Sequence, residues 1–174
     1  IDYEMLKEAG GKRLLGFGRY AGIVGAYNAF RLWGELTGDY AIKPAHECVD
    51  RREMEAELIR IKLPADTKVV LTGAGRVAAG AMEILSAMRM THVFPYEFLN
   101  ESYSEPVFTQ LDVRHYFEKE NGEEFSRKEF YTNPEGYRSA FSKFAKEAQI
   151  YIPCHFWSEK SPFVFSREEA KADD

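Results

Sequence analysis

An α/β fold built on a parallel sheet is predicted for this chain by three observations. The run Lys68-Val-Val-Leu-Thr72 is a β-branched strand pattern ending in the turn Gly73-Ala74-Gly75, and an Ala-rich helical pattern follows at once. Two later runs, Pro106–Asp112 and Gln149–Cys154, read as further strands. Helical patterns alternate with these strands, the order that gives parallel strands joined by crossover helices. Three or four strands are visible, against about six in a full doubly wound sheet. The expectation is a Rossmann-like parallel sheet with helices on both faces, incomplete at its C-terminal side and preceded by a helical segment.

The glycine turn is the candidate site. Gly73 permits the tight turn, Gly75 lets backbone approach a diphosphate, and Ala78 at the third position lets helix pack on strand. The start of the following helix brings unpaired N–H groups and partial positive charge. A strand before the turn and a helix after it are the context that makes Gly-x-Gly-x-x-Ala a dinucleotide signal.

Composition bounds the rest. At 174 residues, 45% hydrophobic and 14% aromatic, the chain can bury a core of one domain, with or without an appended segment. A net charge of -5 with no Lys/Arg cluster argues against a nucleic-acid surface. No apolar run approaches the roughly 18 residues of a membrane span. Cys48 and Cys154 lack metal or redox spacing and read as free thiols of a reducing, cytoplasmic compartment. No His, Cys or acidic group stands at metal-ligand spacing, and His46, His92 and His115 receive no role. The chain opens at Ile1 in mid-pattern, so it is expected to be a piece of a longer protein.

In chain order, residues 1–9 predict a short helix stopped by Gly10-Gly11. A second Gly-x-Gly-x-x-Ala follows in Arg13-Leu-Leu-Gly16-Phe-Gly18-Arg19-Tyr-Ala21-Gly22. Tyr20, Ile23, Val24, Tyr27, Phe30 and Trp33 then mark a long amphipathic helix, with Gly22, Gly25 and Ala26 small enough for close packing. Asp39 lies 21 residues after Gly18, the spacing of a ribose-binding acid. It sits among turn residues with no strand to carry it, so this turn reads as a strand-to-helix corner. Asp50 with Glu53 predicts a capping box ahead of Met54, Leu58 and Ile59.

After the central turn, the helical pattern runs to about Arg89, and Thr91–Phe94 is a short strand stopped by Pro95. Residues 118–133 read as a polar loop. Pro134 then opens a helix with Tyr137, Phe141, Phe144 and Ala148 on one stripe. Ser166 and Glu169 predict the start of a last helix.

Several stretches together resemble one family. Gly73-Ala-Gly-Arg-Val-Ala-Ala-Gly80, Val93-Phe-Pro-Tyr-Glu-Phe-Leu99, Phe130-Tyr-Thr-Asn-Pro-Glu-Gly-Tyr137 and Ile150-Tyr-Ile-Pro-Cys-His-Phe-Trp157 are similar, in this order, to the saccharopine dehydrogenase and lysine-ketoglutarate reductase family. That family is related to alanine dehydrogenase and the transhydrogenase nucleotide-binding domain. Arg13–Gly22 resembles the stretch where the family's chain leaves its first domain. The resemblance implies a two-domain oxidoreductase, with a nicotinamide cofactor on the second domain and an amino-acid or imine substrate between the two. Reversible hydride transfer at a carbon–nitrogen bond would use a Lys and a His of the first domain. Residues 1–62 would then be an inter-domain helical segment leading from that preceding catalytic domain. Residues 63–174 would be a partial NAD(P)-binding domain, with no catalytic residue inside the chain.

For the cofactor, Gly73, Ala74, Gly75, Arg76 and Val77 are expected around the diphosphate. Asp112, at the end of a strand, resembles the family's acid that accepts both ribose hydroxyls. A carboxylate there repels a 2′-phosphate and favours NAD. Glu97, 24 residues after Gly73, is the rival by spacing. Arg114 beside Asp112 could accept a 2′-phosphate, which keeps NADP open. Cys154, His155 and Phe156 follow a strand end, where ligands bind in open α/β sheets. His155 is read alternatively as a structural histidine. Some relatives pair a cysteine of the glycine turn with the one matching Cys154; Val77 stands there, so no such disulfide is expected. Arg13 matches a basic position near the family's cleft and is a candidate substrate contact.

The leading expectation is the cofactor-binding part of a saccharopine- and lysine-type dehydrogenase, inactive as this fragment alone. Alanine dehydrogenase-like activity on a small amino acid, and a non-catalytic dinucleotide-sensing or interaction domain, stay open. The edge of a truncated sheet could also pair with a second copy, giving a homo-oligomer.

Overall fold

The computed structural model describes residues 2–11 and 13–171. Helices α1 (Gly18–Thr37) and α2 (Arg51–Leu58) precede strand β1 (Lys68–Thr72), which leads into α3 (Arg76–Ala87). Then come β2 (Thr91–His92), α4 (Pro95–Asn100), β3 (Val107–Leu111) and α5 (Val113–Tyr116). The chain continues through β4 (Phe117–Lys119), α6 (Arg127–Thr132), β5 (Tyr137–Ser139), α7 (Ser142–Glu147) and β6 (Ile150–Pro153).

Four strands form a wholly parallel sheet in the order β2-β3-β1-β6, flanked by helices, as the strand patterns predict. Register is continuous across its centre: Val69 pairs with Phe108 on one side and Ile150 on the other. Successive side chains of a strand point to opposite faces, and the core divides accordingly. Val69, Leu71, Phe108, Ile150 and Ile152 pack with Ile23, Ala26, Tyr27 and Phe30 of α1 and with Ala78, Ala81, Ile84 and Leu85 of α3. Val70, Val107 and Leu111 pack on the other face against an aromatic cluster: Phe98, Tyr116, Phe117, Phe130, Tyr137, Phe141 and Phe144.

The long predicted helix forms as α1 and stops at Gly38, whose φ of 76° suits a left-handed cap and whose N–H donates to the Gly34 carbonyl at 2.8 Å. Its buried stripe is shifted from the sequence expectation. Ile23, Tyr27 and Phe30 are buried, whereas Tyr20 and Val24 are exposed, because the helix turns its small residues toward α3. A methyl group at Gly22 would overlap the Val77 carbonyl, and one at Gly80 would overlap the Arg19 carbonyl. Gly25 faces open space instead. The helices are also tied by charge: the Glu83 carboxylate of α3 accepts from Arg19 at 2.5 Å and from Arg51 of α2. The α2 cap forms as expected, with the Asp50 carboxylate accepting from the Glu53 N–H at 3.0 Å.

Four stretches differ from the sequence reading. The helix expected from Pro134 begins only at Ser142; Gly136, at φ 81°, closes a turn, and Tyr137–Ser139 pairs antiparallel with Phe117–Lys119. Tyr137 there packs against Phe125 and Phe130 and its hydroxyl donates to the Ser126 carbonyl at 3.2 Å, so burial overrides the helical stripe. Inside the expected polar loop, α6 forms, its N-terminus capped by Ser126. The first residues make one 3-10 turn, Tyr3–Met5, and an isolated bridge between Lys7 and Arg13, where a helix and then a strand-to-helix corner were expected. The last predicted helix is a 3-10 turn, Glu169–Lys171, with the Glu169 N–H donating to Ser166 Oγ at 3.1 Å. Ile1 and residues 172–174, the ends of these two expected helices, lie outside the described residues.

Candidate functional site

The strand after β3 in the sheet is β6, which crosses to the far side of β1. Beyond the carboxyl ends of β1 and β6, where strand order reverses, an open parallel sheet leaves its crevice. The central glycine turn lies there. Gly73 has φ 98°, and its N–H donates to the Leu111 carbonyl at 2.9 Å. A Cβ on it would come within 2.7 Å of the Cys154 carbonyl, so glycine is required both by conformation and by the approach of the β6 end. Gly75 differs. Its φ is an ordinary −93°, and a Cβ on it would meet nothing within 4 Å. It forms the N-cap of α3 without a side-chain cap, so the first N–H groups of the helix open toward the crevice.

The crevice is a cleft of about 550 Å³, and it gathers residues from five parts of the chain. Gly73, Ala74, Gly75, Arg76 and Val77 line it from the turn; Asp112 from the end of β3; Cys154, His155 and Phe156 from the end of β6. Arg114 and Arg13 are not brought there. Arg114 is exposed and touches Asp112 only through its backbone N–H, at 3.4 Å. Arg13 bridges to Lys7 and its guanidinium meets Glu4 at 3.3 Å. Glu97 accepts from the Phe94 N–H at 2.9 Å, capping α4 away from the cleft.

Residues unforeseen in the sequence complete the lining: Gly18, Val113, Tyr116, Arg127 and Tyr131. Arg127 and Tyr131 stand one turn apart on α6, and Arg127 reaches Asp112 Oδ2 at 2.6 Å. The signal that could have found them is Ser126-Arg-Lys-Glu129, a capping box inside what reads as loop. Gly18 comes from the first glycine turn, which packs directly on the second, a Gly18 Cβ position lying 3.4 Å from the Val77 side chain.

The cleft is locally cationic in an acidic protein. Among the described residues Arg76 pairs with no carboxylate, and its guanidinium lies 3.1 Å from where a Gly16 Cβ would be. Asp112 is fixed from several sides: its N–H donates to His115 Nδ1 at 3.0 Å while Arg127 holds its carboxylate. Burial lowers the His115 and His155 imidazoles, keeping both neutral near pH 7, and pushes the Cys154 thiol up to about 11. Cys154 is therefore a poor nucleophile. Among the described residues no cluster of His, Cys, Asp or Glu could hold a metal ion, and no helix is long and apolar enough to cross a membrane. A larger cavity of about 690 Å³, between α7, β6 and residues 165–170, is away from the glycine turn and from both strand ends.

No family model matches the chain. Among curated proteins it is similar to alpha-aminoadipic semialdehyde synthase of Arabidopsis thaliana, 23% identical over 97% of this chain and 19% of that protein. The mitochondrial alpha-aminoadipic semialdehyde synthases of Mus musculus and Bos taurus are each 26% identical, over 99% of this chain and 21% of theirs. The chain thus spans about a fifth of the length of the curated relatives it matches. These matches bear out the resemblance to the saccharopine dehydrogenase and lysine-ketoglutarate reductase family. Along nearly its whole length, the chain is a distant relative of one segment of alpha-aminoadipic semialdehyde synthase.

Proposed function

We propose that this chain is the nicotinamide-dinucleotide-binding part of an oxidoreductase acting on the carbon–nitrogen bond of an amino acid, of the saccharopine and lysine type. The observation that carries the reading is the uncapped α3 N-terminus, presented by Gly73–Gly75 at the point where strand order reverses. The relatives' names support amino-acid oxidoreductase chemistry. Residues 1–62 would lead in from a preceding domain that supplies substrate contacts, acid and base. Residues 63–174 would form the first part of the dinucleotide domain.

The chain's own contribution is binding and orientation. The open Cβ position of Gly75 is the space a diphosphate needs to reach the backbone N–H groups, and Arg76, which meets no carboxylate among the described residues, adds positive charge beside it. A bound nicotinamide would supply the hydride donor or acceptor. Asp112 stands where a carboxylate accepts ribose hydroxyls, which favours NAD. Arg127 supports a second reading: turned 2.6 Å from Asp112, its guanidinium could release the carboxylate and take a 2′-phosphate, which favours NADP.

Calorimetric titration of the chain with NADH and NADPH tests both readings. One-to-one binding of at least one is expected, and no binding of either would overturn the proposal. Asp112→Ala is expected to weaken NADH more than NADPH, and Arg127→Ala to do the reverse. An unchanged ratio in both variants would remove this end of the cleft from the ribose site. Turnover is not expected from the chain alone, because hydride transfer requires a substrate held in place as well as a cofactor.

A further inference from the structure

We infer that Tyr151, Thr72 and His155 form a directed hydrogen-bond relay that fixes the His155 imidazole as an Nε2–H donor to the ligand of the cleft. The inference rests on the dinucleotide reading of that cleft. Thr72, the last residue of β1, is wholly buried, and its hydroxyl meets two partners from β6 and its end. Thr72 Oγ1 lies 2.7 Å from His155 Nδ1 and 3.1 Å from the Tyr151 hydroxyl. His155 in turn forms part of the cleft wall, its ring 5.4 Å from that of Tyr116.

Proton counting sets the direction. Thr72 has one hydroxyl proton and two neighbours, so it can donate to only one of them. Tyr151 remains a phenol, its pKa pushed up to about 12 by burial, and its hydroxyl has no other partner among the described residues. If Tyr151 donates to Thr72, Thr72 donates to Nδ1 and every proton in the chain is used. The imidazole then carries its proton on Nε2. With the proton on Nδ1 instead, either the Tyr151 or the Thr72 hydroxyl proton finds no protein acceptor among the described residues, and Nε2 becomes a lone pair at a cleft suited to an anion. Burial keeps the ring neutral, so the donor is present without a charge to desolvate. Tyr151 and Thr72 are thus positioning residues that act through His155.

Imidazole ¹⁵N shifts of the ligand-free chain, assigned by loss of the signal in His155→Gln, test the relay together with NADH and NADPH titrations. The expected result is an Nε2–H tautomer in the parent chain. Thr72→Val should mix the tautomers and weaken binding roughly five-fold, the scale of one lost hydrogen bond. Tyr151→Phe should change the tautomer ratio in the same direction and by less. An Nδ1–H tautomer in the parent chain overturns the relay, as does a ratio left unchanged by both variants. Should Thr72→Val fail to fold, Tyr151→Phe alone decides. If the parent chain binds neither dinucleotide, the reading of the cleft fails, while the tautomer still decides the relay.

Discussion

The chain carries two Gly-x-Gly-x-x-Ala turns, and the structure sets them against each other. In the turn at Gly73, a strand comes first. The turn therefore stands at the end of a sheet, Gly73 takes a positive φ under the β6 end, and Gly75 faces an open cleft. Before the turn at Gly16 the described residues form no strand, only the isolated Lys7–Arg13 bridge, and its glycines make contact with the other turn. Arg76 lies against Gly16, Val77 lies against Gly18, and one helical turn on, Gly22 and Gly80 bring the two helix backbones together. The letters are shared; the element before them decides whether the backbone groups face an open cleft or a neighbouring helix.

Substitutions can break this contrast. The largest effect is expected where helix meets helix. Gly22→Ala or Gly80→Ala would place a methyl on a rigid backbone carbonyl, which costs on the order of 3 kcal/mol. Urea unfolding should show a lower midpoint; a change within error would mean that α1 can slide on α3. The next effect is on binding, not on folding. Gly75→Ala fits the fold without contact, yet its methyl enters the cleft, so dinucleotide affinity should fall about tenfold at unchanged stability. Equal loss of stability and affinity would mean Gly75 is structural, like Gly73.

The Glu83 bridge between the helices gives a pH effect. Arg19 and Arg51 hold the Glu83 carboxyl down at about 2, against an ordinary value of 4.5. A depressed acid stabilises the fold fully above its unfolded pKa and loses that contribution as pH falls toward the folded one. Unfolding midpoints should therefore drop between pH 4.5 and about 2, and Glu83→Gln should flatten part of the slope. A slope identical in the variant would exclude Glu83 from the acid transition. The smallest effect is a gain: Gly25→Ala, on an exposed part of α1 with free space around it, should add about 0.5–1 kcal/mol through helix propensity.

The sheet was legible because its signals are local. Val69-Val70-Leu71, the turn after it and the apolar runs at Val107 and Ile150 each read as strand or turn on their own. Asp112 was legible for the same reason, as an acid at a strand end. The region between β3 and β6 was not. Tyr137, Phe141 and Phe144 have helical spacing, but Tyr137 is buried in a hairpin against Phe125 and Phe130, partners that lie before Pro134 and so outside the helix that spacing predicts. Arg127 was missed with α6 itself. Conversely, Arg114 is beside Asp112 in sequence but faces away, because α5 turns it to the exposed side.

By itself, then, the order of residues determined the strands, the long first helix, the glycine turn and the acid at the end of β3. Each depends on periodicity, branching or backbone freedom within a few residues. Only the tertiary structure decided that α1 and α3 interlock at Gly22 and Gly80, that Arg127 meets Asp112, and that Thr72 joins Tyr151 to His155. Those contacts span 15 to 83 residues of chain. They exist because parallel pairing of β1 with β3 and β6 brings three separate strand ends to one cleft, a closure that no local pattern records.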